Sequence, residues 1–349
     1  MKKSLITLSI LSLTSLTFTA QAQTVLTVSS WVPPTHGLSV AQKEWCDALT
    51  AKTSNRVRCN ILPRAVTPAP GTFDAVKNGL VDVSFTVHGY TPGRFVLSQI
   101  AEFPFLGDRA EPLSVAFNRI ASKNPEFTAE HQGVKVLGFF THGPGIVFNT
   151  KKPITKVEDL SGLKFRVGGF AGKVLERMGV IPQNIPGGDI YPALEKGTID
   201  SAEWVGPYDD EKLGFQKVAK FYYYPGFWEP GPSLSFYINL DAWNKLPKNY
   251  QSALEVAAAE VNITMTAEYD AKNPAALNRL IQSGAQLRIY PRDILDAAYK
   301  EAEKLYADES KNNPKFKKIF TSWNRFRNDQ NNWFRVAENS MASYIPRSK

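Results

Sequence analysis

Two polar clusters in this chain sit where strands should end, and one of them suits recognition of an anion. Arg166 closes the run Leu163-Lys164-Phe165-Arg166-Val167 and is followed at once by Gly168-Gly169. An arginine at a strand end, ahead of glycines that open backbone N–H groups at a helix start, has the donors to hold a carboxylate. Each charge-assisted bond of that kind contributes roughly 1.5–3 kcal/mol. The competing role is a surface ion pair. Glu203 and Trp204 follow the run Ile199-Asp200-Ser201-Ala202, and Gly206-Pro207 then breaks the chain. Ligands of open parallel sheets bind beyond the carboxyl ends of the strands. That is where this run delivers the acid and the indole. A core Trp204 beside a solvated Glu203 is the plainer alternative.

The four histidines, His36, His88, His131 and His142, are scattered. His88-Gly89-Tyr90 and His142-Gly143-Pro144-Gly145 each follow a strand pattern, so they either line a cleft or pack in polar loops. The sequence holds no HExxH, GxxxxGK[ST], CxxC or GxSxG. No nucleophile, base and orienter assemble, which argues against hydrolysis or group transfer.

The elements that must position these residues alternate. Strand patterns cover Val25 to Ser30, Val57 to Leu62, Val81 to Val87, Val134 to Phe140, Gly145 to Asn149, Leu163 to Val167 and Leu234 to Ile238. Helical spacing covers Leu38 to Thr53, Gly71 to Asn78, a stretch near Pro112 to Ile120 and Gly172 to Met178. It returns over Asn249 to Asp270, Asp293 to Asp308 and Pro314 to Ala342. Such alternation predicts an α/β fold with largely parallel sheets. An internal echo supports two lobes built alike: "AVKNGLVDVSF" from Ala75 and "ALEKGTIDSAE" from Ala193. In both, a glycine (Gly79, Gly197) suits the left-handed turn that stops a helix, and an aliphatic residue opens a strand. The echo predicts Phe85-Thr86 and Glu203-Trp204 at matching strand ends.

The start of the chain reads as a leader. Lys2 and Lys3 precede an apolar run from Leu5 to Thr19, and Ala20-Gln21-Ala22 supplies small residues at a cleavage point. This predicts a signal peptide over 1–22 and a mature start at Gln23, hence export. The run is shorter than the ~18 apolar residues of a spanning helix. The rest is long enough for two lobes of ~150 residues. The formal charge of +8 falls by two without the leader lysines. That mild, diffuse basicity suits a small anion and argues against nucleic acid, which needs a concentrated basic face. Cys46 and Cys59 are the two cysteines. In an oxidising compartment a lone pair tends to bond, the alternative being two buried thiols.

Taken together, "GLKFRVGGFAGKVLERMGV", "GGDIYPALEKGTIDSAEWVGPYDDEKLGF" and "YYYPGFWEPGP" resemble the solute-binding proteins of TRAP (tripartite ATP-independent periplasmic) transporters. The nearest branch captures 2-oxo and related monocarboxylic acids. The resemblance runs from Trp31-Val32-Pro33 to "DQNNWF". It implies a two-lobed α/β fold with mostly parallel sheets, hinge strands and a long bridging helix. Lobe I would hold 23–148 and 232–290, lobe II 149–231, and 291–349 would form C-terminal helices packing across the lobes or on a second subunit. By position, Arg166 matches the arginine that holds the ligand carboxylate, and Glu203 and Trp204 match an acid–aromatic pair in the same pocket. Glu229, after Trp228, is similar to a second pocket carboxylate. Tyr90, Trp204, Trp228 and Phe170 would be flat walls, with His88 a further candidate.

The resemblance implies no catalytic residue. It implies as partners the small and large TRAP membrane subunits, and it allows a homodimer. Some members of the branch bridge the acid through Na or Ca, with carboxylates such as Glu203 and Glu229 among the ligands. Their other side-chain ligand, a glutamine, is absent; Gly143-Pro144-Gly145 stands there. One arginine would then face two glutamates and an anionic ligand, and like charges that close raise a carboxylate pKa or demand a counter-ion. Three outcomes stay open: a cation, a ligand hydroxyl on one carboxylate, or Glu229 turned away. The alternatives in function are a carboxylate-binding protein of an ABC importer and a secreted isomerase or lyase on the same scaffold.

Overall fold

The two echo segments build the same unit, and each unit places a strand in one sheet. The computed structural model describes residues 23–344 apart from 92, 106–116, 118–123 and 144–147. The leader expected over 1–22 and most of the helix expected near Pro112 to Ile120 lie outside the described residues, as does the start of the strand expected from Gly145.

The first half runs β1 (Thr24–Ser29), α1 (Gly37–Lys52), β2 (Val57–Ile61), α2 (Thr72–Lys77), β3 (Val83–Val87), α3 (Pro125–Glu130) and β4 (Val134–Phe140). The chain then continues through β5 (Phe148–Thr150), β6 (Lys164–Arg166), α4 (Gly169–Arg177), β7 (Ile181–Gln183), α5 (Gly187–Lys196), β8 (Ser201–Glu203), α6 (Pro207–Leu213) and β9 (Phe221–Tyr224). It closes with β10 (Leu234–Asn239), α7 (Leu240–Lys245), α8 (Lys248–Gln282), β11 (Gln286–Ile289), α9 (Arg292–Asn312) and α10 (Pro314–Tyr344).

One sheet has the order β2-β1-β3-β10-β4 and the other β11-β9-β5-β8-β6-β7. β1 is parallel to β2 and β3, while β10 is antiparallel to β3 and β4. In the second sheet β6 is parallel to β7 and β8, and β9 to β11, while β5 is antiparallel to both neighbours. The antiparallel strand of each sheet, β10 or β5, arrives by crossing from the other sheet. All six residues of β10 are buried, as a central strand covered on both faces requires.

The echo has a concrete basis. Gly79 and Gly197 take φ of +74° and +76°, where a Cβ would be strained. Leu80 N–H then bonds Ala75 O at 2.9 Å, and Thr198 N–H bonds Ala193 O at 2.9 Å. The shared aspartate does the same work twice. Thr27 N–H donates to Asp82 Oδ2 at 2.7 Å, and Lys164 N–H donates to Asp200 Oδ2 at 3.0 Å. Each carboxylate ties the start of its strand to the neighbouring parallel strand. The match ends sooner than expected. β3 runs on to Val87, so Phe85 and Thr86 lie inside the strand, whereas β8 stops at Glu203. β3 is the longer because β10 pairs along its whole length.

Two readings of boundaries need correction. The helix expected to end at Asp270 continues through Pro274 to Gln282 as α8. Proline removes one helical bond, but the next-door Asn273 accepts from Tyr208 N–H of α6 at 3.0 Å, so tertiary contact carries the helix on. At ~1.5 Å per residue it spans ~50 Å. It meets α1 through Trp45 Nε1–H on Leu254 O at 3.3 Å and α6 through Tyr269 O–H on Asp209 at 2.8 Å. It then delivers β11 to β9, so residues 286–289 belong with the second sheet and not with the first, as the division at 290 had them. The early part of α10 buries Phe316, Ile319 and Trp323 in a cluster with Phe103, Phe127, Phe139 and Phe170.

Cys46 on α1 and Cys59 on β2 are bonded, closing a segment of sequence separation 13. Removing that crosslink frees the unfolded chain. Replacing both cysteines with serine should lower unfolding free energy by about 3 kcal/mol, read from urea denaturation.

Candidate functional site

Arg166 and Glu203 end adjacent parallel strands, β6 and β8, with Arg166 in register with Ala202. Both are buried, at 2% and 6% exposure. Arg166 Nη1 donates to Glu203 O at 2.9 Å and to Glu203 Oε1 in a very short contact. Its Nη2 donates to Tyr90 Oη at 3.0 Å and its Nε to Ile185 O at 3.3 Å. Tyr90 ends the short turn His88–Tyr90 beyond β3, so this bond joins the two sheets. A guanidinium has five N–H groups; these four bonds leave one on Nη2 without a partner among the described residues.

Trp204 lies flat beneath the guanidinium, whose carbon sits 5.0 Å from the ring centre. A Cβ at Gly187 would meet this indole at 2.3 Å, so only glycine opens α5 here. Trp31, Tyr90 and His36 close around the same ring system: Trp31 lies 5.0 Å from Tyr90, and His36 lies 5.5 Å from Trp204. Together these residues enclose a cavity of about 50 Å³, lined also by Glu102, His142, Phe170, Trp228 and Glu229. Of the residues singled out in the sequence, Arg166, Glu203, Trp204, Tyr90, Glu229, Trp228 and Phe170 therefore meet around one space.

His88 does not join them. It is fully buried behind the wall, with Nδ1 2.9 Å from Ser233 Oγ and Nε2 3.0 Å from Ser235 Oγ. β10 supplies Ser235, and pairing with that strand turns the ring inward. His142, by contrast, lines the cavity.

Glu102 and His36 were missed. Glu102 had a signal: one acid in the apolar run Ile100-Ala101-Glu102-Phe103-Pro104-Phe105. Its Oε2 accepts from Ser233 N–H at 2.7 Å, while its buried Oε1 has no partner among the described residues. His36 follows Pro33-Pro34-Thr35 and had no signal beyond that position. Its Nε2 is likewise buried and unpartnered, as is Trp204 Nε1. Buried polar atoms normally find partners; three orphans on one cavity wall mark a place for a polar guest.

Three carboxyls share this space with one guanidinium. Burial pushes Glu102 up to about 8, with Ser233 N–H opposing and Glu203 adding to the rise. Burial raises Glu203 to about 7 against the pull of Arg166. Glu229 is raised well above the carboxylate range by burial and then by Glu203 and Glu102. Carboxylate oxygens are the kind of donor Na or Ca takes. Yet among the described residues no group of three or more His, Cys, Asp or Glu side chains is arranged to hold a metal ion. Glu203 and Glu229 are two such donors, so a cation there would take its remaining ligands from backbone, water or the bound acid.

An α/β chain with two linked sheets and a buried, arginine-centred cavity between their strand ends is the architecture of a solute-binding protein. Residues 28–312 match the bacterial extracellular solute-binding protein family 7, DctP, and the chain belongs to that family. It is 37% identical over 340 residues to a monocarboxylate 2-oxoacid-binding periplasmic protein of Nostoc, covering 92% of this chain and 88% of that one. A TRAP transporter solute-binding protein of Bordetella bronchiseptica is 36% identical, with a TM-score of 0.83 and coverage of 93% and 97%. It was solved as a mixed-occupancy dimer with copurified calcium and picolinate in its active site. Another from Pseudoalteromonas atlantica, with sodium and pyruvate bound, is 26% identical with a TM-score of 0.82, covering 93% of this chain and 100% of that one.

The buried acids give the ligand-free chain a pH signature. Glu102, Glu203, Glu229 and Asp210, the last raised to about 7 by burial, hold protons that the unfolded chain releases above its ordinary carboxyl range. Stability should therefore fall as pH rises through 7 to 8. His36, His88, His131 and His142 are all lowered by burial from 6.5, so below that pH the unfolded chain gains protons the fold refuses. Urea midpoints should rise from about pH 8.5 to about pH 6.5 and level off below it.

Proposed function

We propose that this chain is a periplasmic receptor that captures a short 2-oxo or 2-hydroxy monocarboxylate and presents it to the small and large membrane subunits of a TRAP transporter. The observation that carries this reading is the Nη2 N–H of Arg166 left without a partner among the described residues, beside the Tyr90 hydroxyl at the wall of the cavity. A ligand carboxylate takes that donor and competes with Glu203 Oε1 for the guanidinium. Trp204, Trp228 and Phe170 exclude water around the pair, which strengthens it. The cavity of about 50 Å³ matches a few water-sized groups at ~10–15 Å³ each, so it suits an acid of three or four carbons. With Arg166 positive and the ligand negative, protonated Glu102 avoids adding a further charge. The relatives' roles and the acids bound in their structures support the same class of guest.

A role in export-side capture follows from the leader-like residues 1–22 and from relatives named as periplasmic. Among the described residues no helix is long and apolar enough to cross a membrane. We read the chain as a receptor and not an enzyme, in line with its family and its relatives, which are solute-binding proteins.

The far half of α10 exposes Trp333, Val336, Met341 and Tyr344. We propose that a second copy covers this face, as supported by the dimer of the B. bronchiseptica relative.

In a thermal-shift assay, pyruvate or a four-carbon 2-oxo acid should raise the melting temperature of the wild-type chain by mass action. Arg166→Ala should weaken binding by about 100-fold or more, the loss of at least one charge-assisted bond, while the ligand-free fold survives. An undiminished shift in that variant would place the acid elsewhere. Light scattering should give a dimer for the wild-type chain and a monomer for Trp333→Glu; a monomeric wild type overturns the dimer.

A further inference from the structure

We propose that His36 reads the second oxygen of the captured acid, so that the cavity prefers 2-oxo and 2-hydroxy acids to acids lacking that oxygen. This rests on the acid-binding reading above. His36 is the N-cap of α1, with extended backbone, and its Nδ1 accepts Leu38 N–H at 3.1 Å. A neutral imidazole carries one N–H, so a ring that accepts at Nδ1 carries its proton on Nε2. The ring is neutral near pH 7, because burial lowers its pKa to about 4 despite Asp209 nearby and with Lys212 adding to the drop. The Nε2–H is buried and has no acceptor among the described residues. Leaving such a donor bare is unfavourable.

His36 lines the same cavity as Arg166 but enters from the other sheet, beyond β1. Arg166 and Tyr90 supply the donors for a carboxylate. A keto or hydroxyl oxygen on the next carbon accepts from His36, whereas a methylene there leaves the N–H bare. Glu102 Oε1 is the third orphan on this wall, and while protonated it can donate as well, so the His36 variant and not the preference alone tests the assignment. The second sheet fixes the histidine in place. Asp209 of α6 accepts Gly37 N–H at 3.2 and 3.3 Å, and Lys212 Nζ donates to Thr35 O at 2.6 Å. The helix cap, the ring tautomer and the meeting of the two sheets thus converge on one donor.

Calorimetric titration of wild type and His36→Asn with pyruvate, lactate and propionate tests this. Asparagine is a good N-cap and keeps an acceptor for Leu38 N–H, but lacks the ring. Wild type should favour pyruvate or lactate over propionate by about tenfold or more, and the variant should reduce that ratio to about threefold or less. An equal loss for all three acids, or an unchanged ratio, overturns the assignment to His36 while leaving acid binding intact. A wild-type chain that binds no 2-oxo or 2-hydroxy acid overturns the acid-binding reading and this proposal with it. Nitrogen-15 imidazole spectra of wild type need no substitution. They should show the proton on Nε2, with its signal moved by pyruvate and not by propionate; a proton on Nδ1 overturns the proposal.

Discussion

Everything about the cavity turns on a buried guanidinium that has too few partners for the charges around it. Arg166 is held from one side by Glu203 of its own sheet and from the other by Tyr90 of the opposite sheet. Burying an ion is costly unless it is paired and bonded, and Glu203 meets most of that cost. The pairing is incomplete by one N–H, and Glu203 is itself lifted to about 7. The guanidinium is therefore held in a state that a further acceptor can improve.

The same pair ties binding to the relation between the sheets. The Arg166–Tyr90 bond closes only when the end of β3 meets the end of β6. Around it, Asp209 gathers Gly37 N–H, Tyr269 O–H and Lys212, so α1, α6 and α8 meet at one buried carboxylate. Its pKa is lowered: burial opposes this, and His36, Lys212 and Tyr269 outweigh it. Asp209 thus stays ionised, as a joint needs. The cavity carboxyls Glu102, Glu203 and Glu229 are pushed the other way, by burial first, with neighbouring carboxyls adding at Glu102 and Glu229. One charge is saturated for structure, and the others are left short for function.

The buried arginine at the end of β6, the acid–indole pair after β8, the pairing of the two cysteines and the helix-stopping glycines were legible in the chain. Each is a local signal: a charge closing an apolar run, a glycine after a helix, an aspartate at a fixed offset from it. The long helix was legible up to Asp270, and only its contact with α6 explains why Pro274 does not end it. β11 could not be assigned from pattern, because four exposed residues carry no mark of the partner strand they join.

The sequence by itself determined what kind of group each sheet would offer at its edge, because burial and period are written in neighbouring residues. Only the tertiary structure decided which groups face one another. His36 and His88 both follow strands of the first sheet, and nothing local separates them. β10 lies beside β3 and claims His88 with two serines, while the N-terminus of α1 carries His36 to the wall shared with Trp204. Tyr90 meets Arg166 across 76 positions of chain. Such meetings are set by sheet order and by crossings between sheets, where the free energy of contact belongs to pairs that no single stretch contains.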